Sequence, residues 1–236
     1  MDVFTATAEE KEKLRRYNMG GIKAESLALL NKITEIYNAN TVNRPPDDAR
    51  TLYQYYRKYT VDLLKFFREE IDDLPYVINN EIRAMFGHLA KHSLKFDLGN
   101  TELIKAYGHF RRLNLDIFKI LCDEFDKSFN HFLRKAHKYN YKKISKDFLL
   151  KYSNMYICAR DAYLKAQFSE SVGSNNDVNV YQAYFEAFCL YVKLITFHYE
   201  NKKQINKVRY CTRLSNILST GWSLGMILLS AITLIP

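Results

Sequence analysis

The sequence predicts an all-α protein, and three observations support that fold class. Glycine and proline, which interrupt helices, number only 8 and 4 among 236 residues. Apolar residues make up 47% of the chain and recur over long stretches at the 3.6-residue spacing of helices. The alternation of apolar and polar residues that indicates strands is missing, as is any internal repeat. We therefore expect a bundle that contains long helices.

Two helices are predicted ahead of a proline-containing loop. The first covers roughly Ala8–Tyr17 and ends at Gly20-Gly21, and the second covers roughly Lys23–Asn38. The Pro45-Pro46 pair then stops the chain from being helical. Residues 1–46 are accordingly assigned to an N-terminal helical segment.

The main helical domain is predicted over residues 47–199. Asp47 is a plausible N-cap for a helix that runs to about Glu70. The later helices cover roughly Val77–Leu94, Asn100–Lys138, Ile144–Ser169 and a run that begins near Val180. At a rise of ~1.5 Å per residue, the helix from Asn100 would be nearly 60 Å long.

The C-terminal end of the chain is predicted to be a transmembrane helix. Residues 214–236 contain no charged side chain, and about 20 apolar residues span a bilayer. A basic juxtamembrane segment, residues 200–213, precedes them. Its cations are Lys202, Lys203, Lys207, Arg209 and Arg213. Since basic residues flank the cytoplasmic side of spans, we expect a single-pass protein of the inner (cytoplasmic) membrane with its N-terminal domain cytoplasmic. The alternative is a buried core helix.

The predicted span has features of a self-associating helix. Gly221 and Gly225 form a GxxxG pattern, which allows helix backbones to approach closely. Asn216, Ser223 and Ser230 recur every seven residues and form a polar stripe. In a homo-oligomer this stripe would form interhelical hydrogen bonds or line a water-filled pore. Alternatively, the hydroxyl groups bond back to carbonyls of their own helix.

The net charge of +9 favours a partner that carries phosphates, such as RNA, DNA or an anionic membrane. Two segments are basic with interleaved aromatic residues, "HFRR" (109–112) and "RKAHKYNYKK" (134–143), and such segments suit contact with RNA. A merely solvated helix surface is the alternative for both.

One helical stretch, "EIRAMFGHLAKH" (81–92), carries candidate catalytic residues. Its apolar side chains at Ile82, Met85, Phe86 and Leu89 form a core face. Arg83 and His88 lie on the two shoulders of that face, about 140° apart on the helical wheel. Between them the outward surface is small, formed by Ala84 and Gly87, so a second helix or a phosphate backbone could approach closely.

Arg-x4-His on a helix of a compact all-α domain resembles the motif of the HEPN superfamily. The wider run over residues 79–125, "NNEIRAMFGHLAKH…NTELIKAYGHFRRLNLDIFKILCDEF", also resembles HEPN-like bacterial proteins. The resemblance implies a HEPN-like helical bundle and, in many members, a metal-independent ribonuclease site formed between two units. Arg83 would then bind the phosphate and His88 would transfer protons. With a membrane helix attached, the chain more faintly resembles the membrane-embedded accessory proteins of RNA-targeting CRISPR systems.

Three functions remain open at this point. The first is a membrane-anchored oligomeric effector of bacterial antiviral, CRISPR-type defence, in which the HEPN-like domain assembles a membrane bundle or pore. The second is a membrane-tethered HEPN ribonuclease that uses Arg83 and His88, and the third is a tail-anchored scaffold. The expected partners are further copies of the chain and membrane lipids, with RNA or a CRISPR effector complex as further candidates. Whether the protein is an enzyme stays open, and no cofactor or metal is expected: His88, His92 and His109 lack the acidic residue of an HExxH site.

Overall fold

A computed structural model of the protein describes residues 22–37, 46–71, 74–94, 100–172 and 177–215. These residues form eight helices: α1 (Ala24–Tyr37), α2 (Ala49–Tyr55), α3 (Val61–Glu70), α4 (Tyr76–Ser93), α5 (Thr101–Ala136), α6 (Phe148–Ser171), α7 (Asp177–Glu200) and α8 (202–215). A π-helical turn, Tyr56–Thr60, joins α2 to α3, and a 3₁₀ turn, Tyr141–Lys143, precedes α6. Within the described residues there is no strand, so the all-α prediction is confirmed.

Helix α5 is the central element of the bundle. It is 36 residues long, which corresponds to about 54 Å. Helix α4 packs along its N-terminal half, and α7 packs against it farther along, where α7 also pairs with α6. Buried residues recur along α5 from Leu103 to Ala136 at helical spacing, so one hydrophobic core follows its whole length.

Aromatic side chains fill much of this core. The rings of Phe129 and Tyr191 stack with their centroids 6.1 Å apart, and the edge of Tyr152 meets Phe129 at 6.0 Å. Each ring comes from a different helix, α5, α7 and α6 in turn. Offset and edge-to-face pairs of this kind stabilise a core beyond the burial of their area. The abundance of Tyr and Phe in the sequence is therefore largely a property of the core.

The helix boundaries differ from the sequence prediction at three N-termini. Helix α7 begins at Asp177 rather than near Val180. The cap of α2 is Asp48 rather than Asp47, because the Asp48 carboxylate accepts a hydrogen bond of 2.6 Å from the backbone N–H of Thr51. Helix α6 begins at Phe148 rather than near Ile144, since Tyr141–Lys143 form a 3₁₀ turn and residues 144–147 are not helical. The predicted helix over Ala8–Tyr17 lies outside the described residues.

The predicted single-pass location in the inner membrane is contradicted. Among the residues that the structure describes, none of the helices combines the length and the apolar character needed to cross a bilayer. Residues 216–236 of the predicted span lie outside the described part of the chain. The oligomerisation residues predicted there lie outside it as well: Asn216, Gly221, Ser223, Gly225 and Ser230.

The basic segment 200–213 is also placed differently from a juxtamembrane collar. Most of it belongs to α8, which buries Ile205 and Val208 against the bundle. Arg209 turns inward, where its Nε donates a 2.9 Å hydrogen bond to the Tyr141 hydroxyl. The segment is therefore part of the helical domain, and Arg209 is a packing residue.

Candidate functional site

The candidate site lies where α4 and α5 cross near the N-terminus of α5. Glu81 and His88 are seven residues apart on α4, and Glu102 and His109 are seven residues apart on α5. Seven residues bring a helix back to nearly the same side. Because a short connection joins the two helices, they run antiparallel, and each glutamate meets the histidine of the other helix.

The two pairs have nearly identical geometry. His88 Nδ1 lies 2.6 Å from Glu102 Oε2, and His109 Nδ1 lies 2.7 Å from Glu81 Oε2. The four side chains are between 15% and 20% exposed, which shields the pairs from bulk water while leaving them within reach of a ligand. The two imidazole rings stack on each other, with centroids 5.1 Å apart and planes inclined by 17°.

This geometry assigns the same tautomer to both histidines. A carboxylate oxygen only accepts hydrogen bonds, so each Nδ1 carries a proton and donates it to its glutamate. Arg112 Nη2 also lies 2.9 Å from His109 Nδ1, but arginine cannot accept a hydrogen bond, so this contact competes with the shorter one to Glu81. The Nε2 atom of each ring then has no hydrogen-bond partner among the described residues, and it has a free lone pair when the ring is neutral. Such a nitrogen is able to take up a proton.

Two cations flank the histidine pair. Lys105 donates a 2.7 Å hydrogen bond to Glu102, and Arg112 Nε lies 3.3 Å from Glu81. The hydrogen bonds from Lys105 and then His88 lower the pKa of the Glu102 carboxyl to about 2. Glu102 therefore stays ionised over the whole physiological range and presents a negative charge to His88.

The two residues of the predicted Arg-x4-His motif lie in different surroundings. His88 belongs to the cluster, whereas Arg83 is exposed on α4 and forms no ion pair with another described residue. The predicted core face is confirmed, since Met85 and Leu89 are buried while Ile82 and Phe86 pack against the core. The small outward face is also present, because a Cβ atom added to Gly87 would meet nothing within 4 Å.

Sequence reasoning did not assign Glu81 or Glu102 to the site. It considered His109 and Arg112 within the basic segment 109–112 that suits RNA contact, and His109 also as a metal ligand, but not as parts of an acid–base site. The signal that could have found them is the Glu-x6-His spacing, which occurs on both predicted helices. Within the described residues, no group of three or more His, Cys, Asp or Glu side chains is arranged to hold a metal ion. The two glutamates and two histidines of the site therefore form two histidine–carboxylate pairs.

The chain matches no family model, no curated protein and no solved structure in the three comparisons with known proteins. The histidine–carboxylate pairs are therefore the feature of the molecule from which a function can be inferred.

Proposed function

We propose that the protein is a HEPN-like, metal-independent endoribonuclease in which His88 and His109 are the acid–base pair. The observation that supports this proposal is the stack of two imidazole rings, each tied through Nδ1 to a glutamate. A histidine held by a carboxylate has a fixed tautomer and orientation, with Nε2 available for proton transfer.

The cleavage needs only these two proton transfers. His88 Nε2 removes the proton from a ribose 2′-hydroxyl, and the 2′-oxygen attacks the adjacent phosphorus. The bond to the 5′-oxygen breaks, and that oxygen takes a proton from the imidazolium of His109. The products are a 2′,3′-cyclic phosphate and a free 5′-hydroxyl. The ionised Glu102 stabilises the charge that His88 acquires, which is why His88 is assigned as the base.

The negative charge that develops on the phosphate needs a cation within reach. Arg112 is the candidate in the same chain, since it borders the pair and its side chain is 55% exposed. Arg83 remains a second candidate through the HEPN resemblance, in which two copies complete the site. The open surface around Gly87 would admit a second copy or the RNA backbone. Homo-oligomerisation itself stays a prediction.

The other functions predicted from the sequence are not put forward. An anchored effector or pore depends on the membrane location, which is contradicted. A role in bacterial antiviral defence, alone or with a CRISPR effector complex, stays a prediction of the resemblance.

Cleavage of a labelled single-stranded RNA tests the proposal. General acid–base catalysis contributes about 10²- to 10⁴-fold, so His88→Ala and His109→Ala are each expected to lower the rate by at least about 100-fold. Cleavage should persist in a chelator, and the product should carry a 2′,3′-cyclic phosphate.

His137→Ala is the matched control, because His137 is an exposed histidine at the far end of α5. At a saturating concentration of RNA it should cleave at the wild-type rate, because His137 is remote from the histidine pairs. Full activity in both His88→Ala and His109→Ala, or dependence on an added divalent metal, would contradict the proposal. Arg83→Ala and Arg112→Ala, compared in the same assay, identify the cation that stabilises the phosphate.

A further inference from the structure

All of the excess positive charge of the chain lies in two segments at one end of the bundle. Residues 131–151 carry seven Lys or Arg and one acid, Asp147, and residues 200–215 carry five and one acid, Glu200. These segments therefore have a net charge of +10, which leaves 23 cations and 24 acids for the rest of the chain. The net charge of +9 therefore does not come from cations spread over the whole surface. It comes from a single region, which we call the basic end.

Tertiary contacts bring the two segments of the basic end together. The Arg209 guanidinium of α8 lies 5.1 Å from the ring of Phe132 and 5.7 Å from that of Tyr139, besides its hydrogen bond to Tyr141. The ring of Phe132 in turn meets His198 of α7 at 5.2 Å. These contacts hold α8 beside the C-terminus of α5 and the 3₁₀ turn.

The cations of the basic end mostly point to solvent. Lys138, Lys142 and Lys143 are exposed around the turn after α5. On α8, Lys203, Lys207 and Tyr210 follow one another at helical spacing on the outer face, and Tyr210 is 67% exposed. The pKa of His131 is lowered, first by partial burial and then by the charges of Lys135, Arg209 and Arg134. The positive potential of the region therefore reaches the last turns of α5.

We propose that the basic end is a binding surface for the phosphate backbone of single-stranded RNA. The exposed cations supply contacts to phosphates, and Tyr210 supplies a platform on which a base can stack. An anionic membrane is less well matched, because membrane-surface helices pair a cationic face with a broad apolar one, and α8 buries its apolar face in the bundle. The choice of RNA over DNA rests on the proposed function, whereas binding of a phosphate backbone does not.

The surface is separate from the histidine pair. His109 and Arg134 lie on the same helix 25 residues apart, which corresponds to about 37 Å. A long RNA would contact both regions at once, so the basic end would raise affinity without taking part in the chemistry.

Fluorescence anisotropy with a labelled 20-nucleotide RNA tests this surface in the full chain carrying His88→Ala, which prevents cleavage. The triple variant Lys142→Gln, Lys143→Gln and Lys207→Gln is expected to bind about 10- to 100-fold more weakly near 0.1 M salt. The slope of log affinity against log salt concentration should be smaller in magnitude by about 2, because the variant loses three phosphate contacts and each contributes about 0.7 to the slope. Tyr210→Ala should weaken binding without changing that slope.

The control removes three exposed lysines outside the basic end, Lys23→Gln, Lys65→Gln and Lys165→Gln, at the same change of net charge. Equal losses in the two triple variants would overturn the proposal. So would binding to phosphatidylserine vesicles that depends on Lys207 while RNA is not bound. If the basic end binds RNA but no form of the protein cuts it, the ribonuclease proposal fails and this one stands. If RNA is cut and the triple variant binds like its parent, this proposal alone fails.

Discussion

Two side chains show how single residues set the response of this protein to pH. The first is Glu102, whose pKa is lowered from its usual 4.5 to about 2 by Lys105 and His88. The native state therefore releases this proton more readily than the unfolded chain does. The resulting stabilisation is fully present above about pH 4.5 and is lost as the pH falls through 2.

Glu102→Gln should remove this contribution. At pH 6 the variant is expected to unfold at lower urea concentration than the wild type, and the difference should shrink progressively between pH 4.5 and pH 2. Glu35→Gln removes an exposed carboxyl group on α1 and controls for the change of charge. A difference between wild type and Glu102→Gln that stays constant down to pH 2 would show that charge on Glu102 does not stabilise the fold.

The second residue is His198, a buried histidine whose Nδ1 lies within hydrogen-bond distance, 2.7 Å, of the Tyr152 hydroxyl. Burial, and then the charges of Arg209 and Lys202, lower its pKa from 6.5 to about 4. The unfolded chain thus takes up this proton first as the pH falls, so stability is lost between pH 6.5 and pH 4. A shift of this size corresponds to roughly 3 kcal/mol.

His198→Gln keeps a side chain that can form a hydrogen bond with Tyr152 but cannot titrate. Its free energy of unfolding, measured by urea titration, should therefore vary less between pH 6.5 and pH 4 than that of the wild type. His137→Gln alters an exposed histidine and should retain the wild-type slope. Parallel curves for wild type and His198→Gln would contradict this account.

At the scale of elements, the π-helical turn between α2 and α3 is tied to α5 by a buried polar contact. Thr60 Oγ1 donates a 2.9 Å hydrogen bond to Asn114 Oδ1, and Asn114 Nδ2 donates to the Phe110 carbonyl at 2.8 Å. Both side chains are fully buried. A buried polar group left without its partner costs about 1–3 kcal/mol, so the bond sets how α3 docks on α5.

A double-mutant cycle measures this link. Thr60→Val and Asn114→Leu should each lower the free energy of unfolding by about 1–3 kcal/mol, because each removes the hydrogen bond between two buried polar side chains. The free energy of unfolding of the double variant should fall by less than the sum of the two single losses, since neither partner remains. Strict additivity in urea unfolding would mean that the two side chains do not interact.

For the whole molecule, one continuous core predicts one cooperative transition. Phe129 contacts the rings of Tyr152, Tyr156 and Tyr191 from two other helices. Phe129→Ala should lower the free energy of unfolding by about 3–5 kcal/mol, as expected when a buried phenyl ring leaves a cavity. Phe168→Ala is the control, because Phe168 is 69% exposed on α6 and should change stability little.

Thermal unfolding followed by far-ultraviolet circular dichroism and by tyrosine fluorescence provides the measurement. The two signals should coincide in the wild type and shift together in Phe129→Ala. Separate transitions for the two probes would show that the helices do not share one core.

Much of the fold could be predicted because helix formation depends on local spacing. The core face of α4, with Met85 and Leu89, follows from the 3.6-residue period alone, and so does the long α5. The start of α2 could not be predicted to the residue from spacing alone. Asp47 and Asp48 are both suitable N-caps, and only the backbone geometry decides that Asp48 is the cap. The predicted membrane location was wrong because it was inferred from the composition of residues 214–236 alone.

By itself, the sequence determined which segments are helical, which faces are apolar, and that His88 is a candidate for proton transfer. Only the tertiary structure decided that His88 meets Glu102 and that His109 meets Glu81, because those pairs depend on how two antiparallel helices are aligned. It also decided that Arg209 packs inward against Tyr141 and that the cations of two distant segments share one end. Helical periodicity depends on residues that are close together in the sequence, whereas contacts between residues far apart in the chain form only when the helices pack.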